Sequence, residues 1–346
     1  MLFLGYKNTG LADGAGAQLQ RLLGIYSASQ LLGCGYLHFG LEKIGYQGLS
    51  VLETGIEISN LSELYNRLVQ LPSDRIALSD FGDQVFFTQI PTVSDILKLR
   101  EQSLMRRRPA LLLMHLPYQV VDHYPGAYCS VYGVICESAA ARLSAEPFVG
   151  DFNRRSGEET VVAVHVRRGE LFAVDSDRML TNAYYLAVCK RIANVLARAG
   201  RNFRFDLYTE VPRAQFSIDG ASHGIANRIS RAVQLSPDQV RISDFDQIDN
   251  VRYRINEHPV STLFNLASAD VLVGSRSSYS YVAAIAGTVK CVVLPRFWHS
   301  LGADWLESNP ETGDFDSSKL IGTLSCPTQI TRGRSNSDTL PLDSDH

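Results

Sequence analysis

The chain has no run approaching about 18 consecutive apolar residues, the length that a membrane-spanning helix requires. It has no basic excess either: 33 Lys and Arg stand against 36 Asp and Glu, for a net charge of −3. That balance gives no general pull toward nucleic acid or an anionic membrane, and it fits a neutral substrate held in a local positive pocket. Cysteine is sparse. Cys34, Cys129, Cys136, Cys189, Cys291 and Cys326 match neither a zinc-site spacing nor a dense disulfide framework, and several sit in apolar runs. Buried free thiols in a reducing compartment are the expectation. The opening MLFLGYKNTG has no basic leader and reads as a first strand rather than a signal peptide, which points to a cytoplasmic protein. No internal repeat or coiled-coil heptad is visible.

What is present is length and alternation. With 346 residues, 45% of them hydrophobic, the chain is long enough for two cores. Residues 2–6 read as a buried strand, 18–32 as a helix and 36–39 as a second strand. Strands are predicted weakly at 76–78 and 85–88 and more strongly at 110–114, with helices over 94–108 and 137–143. The polar stretch 151–160 reads as a linker. The pattern then restarts. Strands are predicted at 161–166, 203–208, 240–242, 271–273 and 289–294, and helices at 182–199, 227–233, 258–267 and 280–286. Repeated β–α alternation of this kind predicts an α/β protein with two Rossmann-like domains facing each other across a cleft. The expected division is 1–155, on the acceptor side, and 156–325, with a polar disordered tail over 326–346.

Four segments carry candidate chemistry. In VVAVHVRRGE (161–170) an apolar β-branched run ends in His165, Arg167, Arg168, Gly169 and Glu170. Two permanently charged, fork-shaped guanidinium groups at a strand end suit an anionic ligand such as a nucleotide-sugar diphosphate. Alternation sends adjacent side chains to opposite faces, so one arginine would grip phosphate while the other braces a loop; both would otherwise be interface salt bridges. His165 is either a satisfied core histidine or a positioning group. Second, Gly14, Gly16 and Gln18 lie between the first strand and its helix, where glycine permits close backbone approach, although the full GxGxxG fingerprint is absent. Third, Ser277 and Ser278 stand between an apolar strand and an apolar helix, either as a phosphate nest or as helix caps. Fourth, Asp175, in the loop after the arginine strand, is placed to act as a base, or is one more solvated loop acid. Glu257, just ahead of a helix, would reach the base or ribose, or would lie on the surface. Neither DSD segment offers a convincing metal site, since the first lies in a loop with no strand leading directly into it and the second in the polar tail; the arginine pair makes a metal unnecessary in principle, because fixed positive groups can stabilise a departing diphosphate.

HVRRGE resembles the HxRRxD-type signature of the alpha-1,2/alpha-1,6 fucosyltransferase superfamily, which uses GDP-fucose. GAGAQLQR (14–21) resembles that family's GxGxQ loop, and ADVLVGSRSSYSYVAA (269–284) its third shared patch, in the same order. The resemblance implies a GT-B fold and inverting, metal-independent single displacement from GDP-fucose to a glycan hydroxyl. It places Arg168 on the GDP phosphates, Arg167 behind the loop and His165 near the nucleotide. Ser277 and Ser278 fall by the diphosphate, Gly14, Gly16 and Gln18 on the fucose side, and Asp175 near the catalytic acid of the alpha-1,6 branch. Glu170 replaces the signature's aspartate, and Ser261 and Thr262 occupy the place of the carboxylate that reads guanine, so the base stays open. Another nucleotide sugar on the same fold, or a nucleotide- or glycan-binding protein without catalysis, are the alternatives. An NAD-dependent enzyme would need a first-loop fingerprint and a Tyr-x-x-x-Lys pair that are not evident. The acceptor side is expected within 40–75 and 115–135, where Tyr118, His123 and Tyr124 would stack on a sugar or pack.

Overall fold

Two all-parallel sheets form the frame of the molecule. The computed structural model describes residues 1–9, 13–45, 61–122, 124, 126–152, 159–169, 171, 178–211 and 241–325. The first sheet runs in the order β2-β1-β4-β3, built from β1 (Leu2–Tyr6), β2 (Gly35–Leu37), β3 (Val85–Thr88) and β4 (Ala110–Met114). The second runs β10-β9-β8-β5-β6-β7, from β5 (Thr160–Val166), β6 (Phe203–Thr209), β7 (Val251–Ile255), β8 (Val271–Val273), β9 (Cys291–Pro295) and β10 (Leu306–Ser308). Nine helices accompany them among the described residues: α1 (Ala15–Leu31), α2 (Leu61–Leu68), α3 (Val93–Arg106), α4 (Tyr118–Val121), α5 (Glu137–Arg142), α6 (Asn182–Arg198), α7 (Pro259–Ser268), α8 (Ser278–Ala286) and α9 (Ser318–Ser325).

The central strands β1, β4, β5, β8 and β9 are largely apolar because both faces of each sheet are covered there. Strand alternation divides their side chains between two cores. Val162, Val164 and Val166 join Val188, Ile192 and Leu196 of α6, while Ala163, Leu272 and Val292 face α7 and α8. That second face belongs to a core that continues into the first lobe, taking in Leu4, Leu19 and Leu22. The lobes therefore touch through helices α1 and α8. The segment 127–135 seals the seam: Ile135 donates its backbone N–H to Ala286 at 2.8 Å, and Gly133 to Gly287 at 3.1 Å.

Local signals explain the helix ends. Thr181 caps α6 by accepting from the Tyr184 N–H, and Gly200, at φ +65°, turns the chain out of it. Thr92 and Asp95 form a reciprocal capping box on α3. Several expectations need correction. Residues 76–78 make no strand and lead into the 3₁₀ turn Leu78–Phe81. The short strand expected to end at Ile242 is instead a 3₁₀ turn, Ile242–Gln247; the strand lies later, at Val251–Ile255, where arginines alternate on an exposed edge. The strand near 291 does not close the sheet, because β10 pairs outside it. Helix α8 starts at Ser278, two residues early, since Ser277 caps it. The 227–233 helix, His123 and the 326–346 tail lie outside the described residues. No described helix is long and apolar enough to cross a membrane.

Candidate active site

A cleft of about 560 Å³ opens between the lobes. The first lobe lines it with Asp13–Ala17, Arg21, Tyr65, Tyr118 and Asp122; the second with the ends of β5 and β6, the start of α8, and the segments around Glu257 and His299. Strands β5 and β6 run in register, His165 beside Tyr208 and Val166 beside Thr209, so their carboxyl ends deliver His165–Arg168 and Thr209–Glu210 to one edge. This is where an open parallel sheet binds ligands.

The two arginines part at the strand end, where Gly169 takes φ +61°. Arg167 turns toward β6, its Nη1 3.1 Å from Glu210 Oε2. Arg168 turns toward α6. It donates to the Asn182 Oδ1 at 2.6 Å and to the Arg167 carbonyl at 3.0 Å, with its guanidinium 5.8 Å from the Tyr185 ring centroid. Both line the cleft. Arg168 is 9% exposed, and among the described residues none of its partners is a carboxylate. Burial pulls its pKa below the ordinary arginine value, which is the signature of a desolvated charge. A buried cation with no counter-ion among the described residues is costly. Among the described residues of the cleft, Arg21 is held by Asp13, and Arg254 lies 3.0 Å from Glu257.

His165 sits behind this edge, 6% exposed, with its Nδ1 2.6 Å from Ser280 Oγ and 3.3 Å from Ser275 Oγ. Burial, with help from Arg167, pushes its pKa down to about 3, so it is a neutral hydrogen-bonding group. Ser277 accepts from the Tyr279 N–H at 3.2 Å as the α8 cap. With Ser278 it presents that helix start to the cleft, where the helix dipole favours negative charge.

The glycine loop divides its roles. Gly14 and Gly16 both border the cleft. A Cβ on Gly16 would lie 2.6 Å from the Tyr279 N and 2.8 Å from its Cα, so this glycine lets α1 meet the α8 backbone. Gln18 is fully buried and does not line the cleft; its amide donates to the Asp13 and Lys43 carbonyls, each at 2.7 Å. It braces the loop. Glu257 lines the cleft beside Arg254. Asp175 and Glu170 lie outside the described residues. Among the described residues, no group of three His, Cys, Asp or Glu is placed to hold a metal ion.

The structure also brings forward groups that no spacing announced. Tyr65 of α2 meets Tyr279 of α8 across the seam, hydroxyl to hydroxyl, at 3.3 Å. Asp122 of the first lobe and His299 of the second pair at 3.0 Å, although 177 positions separate them. Trp298, 61% exposed, lies under the Arg178 guanidinium at 4.4 Å.

No family model matches the chain, and no curated protein matches it. Solved structures overlap it in outline. POFUT1 in complex with GDP is 10% identical, covering 83% of this chain and 96% of that one, at a TM-score of 0.41. The E. coli heptosyltransferase WaaC with ADP is 10% identical over 93% and 98% of the two chains, at 0.36. E. coli ADP-heptose LPS heptosyltransferase II is 10% identical over 93% and 97%, at 0.33. These are likenesses of overall outline, and the chemistry of the cleft rests on its own residues.

Proposed function

We propose that the cleft is the site of an inverting glycosyltransferase that moves L-fucose from GDP-fucose to a glycan hydroxyl. The observation that carries the reading is Arg168: a buried guanidinium at the carboxyl edge of a parallel sheet, facing the cleft, with no carboxylate partner among the described residues. The departing diphosphate would meet it together with the start of α8. Fixed positive groups of this kind are strongest where water is excluded, and they do the work a metal ion would otherwise do. Arg167, tied to Glu210, holds the strand-end turn. His165, as a neutral hydrogen-bonding group, and Glu257 flank the nucleotide. The preference for GDP-fucose rests on the three sequence patches, all of which contribute residues to this cleft.

The test is release and transfer of fucose from GDP-fucose by the purified full chain, with wild type and Arg168→Ala compared. The reading expects turnover by wild type and a loss of about 100-fold or more in the variant, with the circular dichroism of the fold unchanged. Turnover of Arg168→Ala at the wild-type rate would remove Arg168 from the site. Activity with another nucleotide sugar alone would keep the transferase and replace the donor. Donor binding with no turnover would leave a binding protein.

A further inference from the structure

We propose that His299 is the general base of this cleft, oriented by Asp122 from the opposite lobe; the proposal rests on the transferase reading above. The cleft offers carboxylates and imidazoles as candidate bases. Its described carboxylates are Asp13, Asp122, Glu210 and Glu257. Three of them are tied to arginines: Asp13 to Arg21, Glu210 to Arg167 and Glu257 to Arg254. A carboxylate held by a guanidinium has its oxygen engaged and turned toward that partner rather than toward an incoming hydroxyl. His165 has its Nδ1 engaged by two serines and is buried as a neutral group that resists protonation. Asp122 differs, since its partner is a histidine, and that histidine lines the same cleft.

The geometry is that of an oriented imidazole. His299 Nδ1 lies 3.0 Å from Asp122 Oδ2, which leaves Nε2 as the ring nitrogen for a substrate proton. The Tyr118 ring at 4.5 Å and the Tyr281 ring at 5.2 Å fix the plane of the imidazole. Ser300 donates to the Asp122 carbonyl at 3.0 Å, so two successive residues of one lobe grip one residue of the other. The groups facing His299 are Asp122, Tyr118 and Tyr281, with Arg178 stacked on the adjacent Trp298. Because Asp122 and His299 come from different lobes, the pair exists only when the lobes meet.

In the step this assigns, His299 Nε2 takes the proton of the acceptor hydroxyl. The acceptor oxygen bonds to the anomeric carbon as that carbon's bond to the diphosphate oxygen breaks. The electron pair leaves with the diphosphate, whose charge Arg168 meets, and the imidazolium then returns its proton to solvent. His299 touches the reacting atoms, while Asp122 is a positioning residue.

The experiment uses GDP-fucose with water as the acceptor. GDP release is followed across pH in wild type, His299→Gln, Asp122→Asn and Asp175→Asn, and GDP binding is measured on each. Gln at 299 keeps an N–H donor for Asp122 and so preserves the contact between lobes. The proposal expects His299→Gln to bind GDP as wild type does and to lose about 100-fold or more in kcat, with the wild-type fall in rate at acid pH abolished. Asp122→Asn should lower kcat, leave KM unchanged and shift that acid limb. A His299→Gln protein with wild-type kcat and the same acid limb overturns the base assignment alone. So does loss of turnover confined to Asp175→Asn. A wild type that binds no GDP overturns the transferase reading, and the proposal with it.

Discussion

Gly16→Ala is the sharpest perturbation the fold offers, because two accounts of that glycine predict opposite signs. If Gly16 merely bordered a ligand, alanine near the start of α1 would stabilise the free protein, since it lowers the helix entropy cost by about 0.5–1 kcal/mol. The structure puts its Cβ 2.6 Å from the Tyr279 N, whereas ordinary contact begins at 3.4 Å, so about 0.8 Å must be recovered. The obstacle is backbone at the start of α8, which cannot swing aside as a side-chain tip does. Overpacking of that kind costs up to about 3 kcal/mol, leaving a net loss of about 2 kcal/mol. Gly322, inside α9, is the internal control: among the described residues nothing lies within 4 Å of its Cβ position, so Gly322→Ala should gain about 0.5–1 kcal/mol. Thermal melts of both variants read the difference, at about 2 °C per kcal/mol for a chain of this size. Gly16→Ala should melt below wild type and Gly322→Ala above it, and Gly16→Ala should also weaken nucleotide binding, because Ser277 and Ser278 would shift. A Gly16→Ala protein as stable as Gly322→Ala would refute the α1–α8 contact.

Other outcomes follow from the same geometry. Arg168→Met removes a buried, desolvated charge, so the unliganded protein should melt higher than wild type while losing nucleotide binding; a lower melting temperature would mean that Arg168 is a structural brace. Gln18→Ala forfeits two bonds from a buried amide to loop carbonyls and should cost about 2 kcal/mol in denaturant titration; an unchanged midpoint would remove its bracing role. His165, held down to about 3 in the fold against 6.5 when unfolded, binds fewer protons in the native state between those values. Its contribution is therefore fully present above about pH 6.5 and is lost as pH falls toward 3, by up to about 1.4 kcal/mol per unit. The stability difference between pH 7 and pH 4.5 should be smaller in His165→Gln, and an equal difference would show that His165 charges freely in the fold.

The frame was legible because it follows from burial. Runs such as Val161–Val166, His165 aside, and Ala110–Met114 are apolar on both faces, as parallel strands between helices must be. The position of Arg167 and Arg168 was legible for the same reason, since an apolar run that stops at charge marks a strand edge. Strand β7 escaped because Val251–Ile255 carries arginine at alternate positions on an edge, and β10 because three residues give no period. Gly16 could be read as special but not for what, since its demand comes from a backbone met across the lobe seam. The Asp122–His299 pair left no trace in spacing, because long-range folding alone brings it together.

Calorimetric titration of GDP, UDP and ADP into wild type and Arg168→Ala, first without metal and then with magnesium, tests the central claim most directly. The account predicts that GDP binds wild type without metal, more tightly than UDP or ADP, and that Arg168→Ala weakens it about 100-fold, the loss of roughly 3 kcal/mol for a charge-assisted contact. No binding of any of the three to wild type, or equal binding by the variant, would contradict it.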